Sequence, residues 1–315
     1  NLVQKDVTRS SPLPCRVMVP CLGAGRLRGA AAAPLLRNLA RFLSSGAPPP
    51  PEFSPRRRVV VTGLGLVTPH GVGVSRSWEG MLSGRSATSS LPEEYKDQPC
   101  TVAAMVPRGK GDGEFDPDGV KGFPSSRTAP FVQMALIAAA EALQDAGFTS
   151  EIPPSERDSF AVCVGTGIGS LDDIVDSGAL VRDGQSRKVT PFFVPKVLAN
   201  MAGAQIAITH GLRGPSQSQI TACAAGSHNI MDAARLIAMG DADTAVCGGS
   251  ESCVSPLAMT GFSRAKSLAT DFNGDPGAAS RPFDSRRCGF VMGEGAGILV
   301  LEELSHAQRR GARIY

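Results

Sequence analysis

An α/β layered fold is what this sequence predicts, on three observations. Short β-branched runs alternate with helical stretches from Arg58 onward, which is the pattern of strands and helices packed in layers. The chain is 315 residues long with a hydrophobic fraction of 42%, enough to bury a large core. Glycines stand at the ends of the helical stretches, where a left-handed residue releases the chain.

Val59–Val61 opens the fold as a strand ending at Gly63. Ser126 is placed to cap a helix whose buried face runs through Phe131, Met134, Ala135, Ala138 and Ala142, released at Gly147. Phe160–Val164 is the second strand, and Val197–Thr209 a second long helix that stops before Gly211. A third strand is predicted over Ser218–Ala222, then a helix over Ala224–Met239 stopped by Gly240. Thr244–Cys247 reads as a fourth strand, Gly289–Leu301 as a fifth with a sixth around Gly293–Gly297, and Glu303–Arg310 as a last helix closed by Gly311.

Charge divides the chain in two. Residues 1–51 hold seven bases and one acid, so of the 32 Lys and Arg and 29 Asp and Glu in the whole chain, 25 bases and 28 acids remain for residues 52–315. A body with net negative charge is no nucleic-acid footprint. Within the leader, Arg37 and Arg41 fall one helical turn apart while Leu35, Leu39 and Phe42 share another face. An Arg-rich, acid-poor, amphipathic segment is the composition of an organelle transit peptide, with a plain basic tail as the alternative. The predominance of arginine points to the mitochondrion, with cleavage expected between Phe42 and Pro48. Pro48–Pro51 separates this leader, 1–51, from the folded domain, 52–315. No apolar run reaches the roughly 18 residues of a membrane span. Eight cysteines without a CxxC pair or a secretory signal predict neither a disulfide framework nor a zinc site.

The informative cysteine is Cys223, in Ile220-Thr221-Ala222-Cys223-Ala224-Ala225-Gly226-Ser227. A strand there runs directly into a helix, so the thiol meets the positive end of the helix dipole, which favours thiolate by about 0.3–1 kcal/mol, under one pKa unit. The small neighbours leave room for a substrate, as a nucleophile elbow needs. The competing reading is a small buried hydrophobe. A nucleophile needs a base, and the four histidines, His70, His210, His228 and His306, form no visible dyad with it. His228 lies five residues along the helix, about 140° around and roughly 7.5 Å up. The Gly63-Leu64-Gly65 turn fails as a dinucleotide fingerprint because Thr68 and Pro69 follow, and Gly165–Gly169 lacks the Lys of a phosphate loop. Both are read as tight turns that bring backbone close to a cavity. Cys247 and Cys253 bracket a strand-loop, not a metal pair.

Several ordered segments together carry a resemblance. They are Gly211-Leu212-Arg213-Gly214-Pro215, Thr221 to Gly226, Gly240-Asp241-Ala242-Asp243, Ser280-Arg281-Pro282-Phe283-Asp284 and Gly289-Phe290-Val291-Met292-Gly293-Glu294-Gly295-Ala296-Gly297. With the opening Val61-Thr62-Gly63-Leu64-Gly65, the region from residue 58 to 315 resembles the elongating β-ketoacyl-ACP synthases, of thiolase-like layered fold. The resemblance implies that Cys223 takes an acyl chain from acyl carrier protein as a thioester. Malonyl-ACP is then decarboxylated and its carbanion attacks that thioester, giving a 3-oxoacyl-ACP two carbons longer and CO2. It further implies that the Cys223 N–H serves an oxyanion hole, that Ile168 and Phe262 line an acyl tunnel, and that Phe193 reaches the tunnel across a homodimer interface. Arg127 matches a contact for the acidic carrier protein, with an ordinary surface arginine as the alternative. No organic cofactor is implied, and with the leader the expected location is the mitochondrial matrix.

The sequence also departs from the family pattern. Two histidines, a lysine and a Gly-Phe-Gly loop belong to a second, similar half, and this sequence ends at Tyr315. The expectation is therefore the N-terminal half of a two-half architecture, carrying the nucleophile and unable by itself to decarboxylate malonyl-ACP. Two alternatives stay open: a thiolase or polyketide-type synthase of the same fold, disfavoured by Ala224-Ala225-Gly226 where polyketide enzymes are rich in hydroxyls, and an incomplete half that only binds a partner or is degraded.

Overall fold

Alternation of side chains along three buried strands sets the architecture. The computed structural model describes residues 56–148 and 152–315; the basic leader and its cleavage region lie outside them. In chain order the main elements are β1 (Val59–Thr68), β2 (Gly71–Val72), α1 (Val74–Leu82), β3 (Ser89–Ser90), β4 (Val102–Ala103), α2 (Pro130–Asp145), β5 (Phe160–Gly165) and α3 (Leu171–Arg182). There follow α4 (Phe193–Val197), α5 (Met201–His210), β6 (Ser216–Gln217), α6 (Ala225–Met239), β7 (Thr244–Glu251), α7 (Pro256–Arg264), β8 (Gly295–Glu303) and α8 (Leu304–Arg309). Six strands form one mixed sheet in the order β2-β1-β8-β7-β5-β6. β5 is parallel to β6 and β7, whereas β8 is antiparallel to both β7 and β1.

Successive residues of these strands point to opposite faces, and they fall into separate cores. Phe160, Val162, Val164, Val246, Ile298 and Val300 pack with Phe131, Met134 and Ala138 of α2. Ala161, Cys163, Ala245, Cys247 and Leu301 pack with Ala233 and Ile237 of α6. Helix, sheet and helix are thus stacked in the α/β layers that the alternation predicts. A third core gathers Tyr95, Cys100, Val102, Met259 and Leu268 around β4 and α7.

Several boundaries differ from expectation, each for a local reason. β1 does not stop at Gly63 but continues to Thr68. Gly63 and Gly65 are there because α2 crosses at close range: a Cβ on Gly65 would lie 1.9 Å from the Ala138 carbonyl oxygen, and one on Gly63 2.1 Å from that of Ala142. Ser126 caps nothing; α2 starts at Pro130, whose fixed φ suits the first helical position. The helix predicted over Val197–Thr209 begins only at Met201, as α5, because α4 ends at Val197 and Leu198 after it is extended, φ −70° and ψ 119°. Only Ser216–Gln217 pairs with β5 where a strand over Ser218–Ala222 was expected, since Gln219 is bound by a side chain instead of by a strand. The stretch from Gly289 yields one strand, β8, preceded by isolated bridges of Phe290 to Leu268 and Gly293 to Ala104. Gly211, Gly240 and Gly311 all take the left-handed conformation at helix ends, as expected.

Candidate active site

The carboxyl ends of β1, β5 and β7 and the start of β8 converge on a cavity of about 760 Å³. Its wall is built from small and apolar groups, including Gly165, Gly167, Ala222, Gly226, Gly249, Phe290 and Met292. Open α/β sheets bind ligands at this edge, and the volume is that of a small-molecule site.

Cys223 lines the cavity from a 3-10 turn, Ala222–Ala224, that feeds directly into α6. Its position at the helix start aims the first backbone N–H groups and the positive end of the dipole toward it. Ala222, immediately before it, has φ 50°, a left-handed conformation that a residue with a Cβ seldom adopts. That turn throws the thiol outward: among the described cysteines Cys223 is the exposed one, Cys288 is half-buried, and Cys100, Cys163, Cys247 and Cys253 are buried. Burial pushes the Cys163 and Cys253 thiols up to about 12, and it raises those of Cys247 and Cys100 too. The buried four are held as inert thiols, and among the described cysteines the Cys223 thiol is the most accessible to a reagent.

Two loops approach Cys223. Thr166–Ile168 crosses so near that a Cβ on Gly167 would sit 3.1 Å from the Ala222 carbonyl oxygen. Its shape is held by Glu251, whose carboxylate accepts from the N–H groups of Gly167 (2.9 Å) and Ile168 (3.0 Å) and from the Thr166 hydroxyl (3.0 Å). The Ser216–Thr221 loop is held from α6: the wholly buried Asn229 accepts from the Gln219 N–H at 2.9 Å and donates to the Gln219 carbonyl at 3.1 Å and the Ala225 carbonyl at 2.8 Å. On the far wall, Glu294 is buried and pairs with Arg108 and the Val106 N–H. Neither Glu251, Asn229 nor Glu294 was singled out by sequence. Their partners are mostly backbone groups, near in sequence for Asn229 and far for Glu251 and Glu294, and the only hint is a polar residue at a position where the surrounding pattern is apolar or glycine-rich.

Of the residues singled out beforehand, the structure brings Cys223, Ile168 and Phe262 to one cavity. Phe262 stacks edge-on against Phe290, centroids 5.5 Å apart. Phe193, in the first turn of α4, is half-buried and is not part of this chain's cavity wall. Arg127 is exposed, with its guanidinium 5.1 Å from the centroid of the Phe192 ring. No described histidine lines the cavity. His228 Nδ1 lies 2.8 Å from the Thr221 hydroxyl, His306 pairs with Glu302, His70 packs on Gly80, and His210 ends α5, where burial lowers its pKa.

Known proteins resemble this chain in sequence and fold. Residues 56–307 match the family described as "Beta-ketoacyl synthase, N-terminal domain". A 3-oxoacyl-[acyl-carrier-protein] synthase 2 of Rhizobium meliloti is 48% identical over 264 residues, 82% of this chain and 62% of that protein. A mitochondrial 3-oxoacyl-[acyl-carrier-protein] synthase of Arabidopsis thaliana is 44% identical over 311 residues, 93% of this chain and 65% of that one. The chain thus spans less than two thirds of the length of either relative. A β-ketoacyl synthase crystal structure from Burkholderia phymatum superposes with a TM-score of 0.72 at 30% identity, covering 82% of this chain and 62% of that chain. The matched span runs from the residues before β1 through the Cys223 elbow to α8, so the layered sheet is that of the β-ketoacyl synthase family, to which this chain belongs.

Proposed function

We propose that this chain supplies the nucleophile of a condensing acyltransferase that elongates fatty acyl chains carried on acyl carrier protein. The observation that carries the reading is the exposed Cys223 thiol at the start of α6, facing a large cavity of mostly apolar wall. The carriers named in its relatives support the choice of substrate.

In the first step the Cys223 thiolate attacks the thioester carbonyl of acyl-ACP. Negative charge collects on the carbonyl oxygen, where the N–H groups at the helix start stabilise it. The carrier thiolate leaves and the acyl chain stays on Cys223. In the second step malonyl-ACP loses CO2, and its carbanion attacks the Cys223 thioester. The carbon–sulfur bond breaks, Cys223 is released as thiolate, and 3-oxoacyl-ACP departs. Ile168 and Phe262 contact the acyl chain in this reading, and no cofactor enters either step. The groups that assist decarboxylation come from beyond the cavity wall described above, in keeping with relatives that are longer than this chain.

The remaining assignments belong to the same proposal. Arg127, held over Phe192, offers a fixed cation to the acidic carrier protein. Phe193 completes the tunnel of a second copy in a homodimer. Residues 1–51 direct the protein to the mitochondrial matrix, the mitochondrion itself being the location named for the relative in Arabidopsis, and residues 52–315 form the synthase domain.

The test is acyl transfer measured by intact mass. Incubation with acyl-ACP adds one acyl group to the chain, peptide mapping finds it on Cys223, and Cys223→Ser lowers the transfer rate by roughly 10³-fold or more without moving the melting temperature. Transfer that persists in Cys223→Ser, or wild-type protein that never takes the acyl group, overturns the reading.

A further inference from the structure

The loop before Cys223 leaves the sheet after only two residues, and one side chain takes over where the strand ladder ends. Asn229 presents its amide to the backbone of Gln219 as a peptide group would, accepting from its N–H and donating to its carbonyl. The same Nδ2 donates to the carbonyl of Ala225, at the first residue of α6. Gln219 lies four residues before Cys223 and Ala225 two residues after it. One buried amide therefore ties together the two flanks of the turn that contains both the strained Ala222 and the thiol.

Two further observations show that space and neighbours are arranged around this tie. A Cβ on Gly165 would sit 2.6 Å from Asn229 Nδ2 and 2.3 Å from the Gln219 carbonyl oxygen, so the strand beneath carries glycine where the amide passes. The preceding residue of α6, His228, holds Thr221 at 2.8 Å, so two consecutive helical residues grip the incoming loop. A left-handed alanine persists only where its surroundings over-determine it, and a fully satisfied buried amide is a strong means of doing so.

We propose that Asn229 is a positioning residue for the Cys223 nucleophile: it braces both sides of the elbow and so fixes where the thiol points. The proposal rests on the reading of Cys223 as the reacting group. It assigns Asn229 no contact with the substrate.

The experiment follows two rates in the intact chain: alkylation of Cys223 by iodoacetamide, and acylation by acyl-ACP, each scaled to the folded fraction. Gln133→Ala is the matched control, because the buried Gln133 amide likewise donates to two loop carbonyls, those of Pro117 and Phe123, but on α2, away from the cavity. In folded protein Asn229→Ala slows both rates by about tenfold or more, the scale of a nucleophile displaced by a fraction of an ångström, whereas Gln133→Ala loses stability and leaves both rates unchanged. Asn229→Asp adds a readout that a purely structural role does not move. Its neutral carboxyl can still accept from Gln219 and donate once, but its ionised form donates to neither carbonyl, so its alkylation rate relative to wild type falls as pH rises. Rates in Asn229→Ala equal to wild type overturn the proposal, as does a pH-independent ratio for Asn229→Asp. If both substitutions unfold the chain, Asn229 is a core residue only and the proposal falls. Alkylation that responds to Asn229 in a chain that takes no acyl group leaves the brace standing and removes the acyl-transfer reading instead.

Discussion

Helices α2 and α6 cover opposite faces of one sheet, and they are buried in different ways. Every residue from Phe131 to Leu136 of α2 is buried, so the first turns of that helix are enclosed around their whole circumference. In α6 the buried residues are Ala225, Asn229, Ala233 and Ile237, a single stripe at intervals of four. The sheet face beneath α2 carries Phe160, Val162 and Val164, while the face beneath α6 carries Ala161, Cys163 and Ala245. Large side chains make the first interface a core. Small ones let α6 settle close to the sheet, where Gly226 lies against Gly249, and leave its first turn open to the cavity. The difference teaches that stability and chemistry are allotted to different faces of the same strands.

If that division holds, substitutions on the two faces part company in what they damage. The largest effect on stability is expected for Phe131→Ala, which empties a fully buried ring position where α2 meets the sheet and costs about 3–5 kcal/mol; urea unfolding measures it, and Cys223 alkylation in the folded fraction stays at the wild-type rate. A glycine on each face gives a sharper contrast. Gly65→Ala drives a methyl to 1.9 Å from the Ala138 carbonyl oxygen and lowers stability by about 3 kcal/mol, again with normal thiol reactivity. Gly249→Ala meets the Gly226 Cα at 2.9 Å and lowers stability by only about 1 kcal/mol, yet it slows Cys223 alkylation by shifting the start of α6. Equal effects of the two glycine substitutions on thiol reactivity would break the comparison.

The smallest effect concerns neither helix. Glu302 of β8 is wholly buried and bonded to Arg310, Thr62 and His306. Burial alone pushes its carboxyl up, but the hydrogen bonds from Arg310, Thr62 and His306 outweigh it and hold the group below its ordinary 4.5. A carboxylate lowered on folding stabilises fully above that ordinary value and loses its contribution as pH falls toward the folded value. Arg310→Met therefore lowers the melting temperature near neutral pH, and the gap from wild type narrows as the pH is taken below about 4. A gap that stays constant with pH assigns Arg310 a packing role alone, through its stacking on Phe148.

How much of this was legible in the sequence depended on the range of the interactions involved. The helix ends at Gly211, Gly240 and Gly311 were legible because a left-handed cap is a local event. The Cys223 elbow was legible because its small residues are contiguous. Helices α1 and α3 were missed although Val74, Trp78, Met81 and Leu82 of α1 and Leu171, Ile174 and Val175 of α3 recur at helical spacing; α1 buries only Ser77 and no residue of α3 is fully buried, with Trp78, Met81, Leu82, Ile174 and Val175 left exposed. The continuation of β1 through Gly63 and Gly65 was missed because those glycines answer to α2, far along the chain. Asn229 and Glu251 were missed because each serves main-chain groups of a loop, and such partners leave no mark in residue type.

The antiparallel pairing of β1 with β8 places Val59 opposite Glu303. A ribosome delivers β1 long before β8, so the first strand waits, with its inward edge unsatisfied, while the chain between Thr68 and Gly295 is made. Closing so long a loop is slow, and an unpaired strand edge invites association with other chains. β5 and β7, by contrast, can dock with α6 already between them. The sheet is therefore expected to assemble from β5 and β7 outward, with β1 seated last, and the nascent protein needs a chaperone's protection most while β1 is still alone.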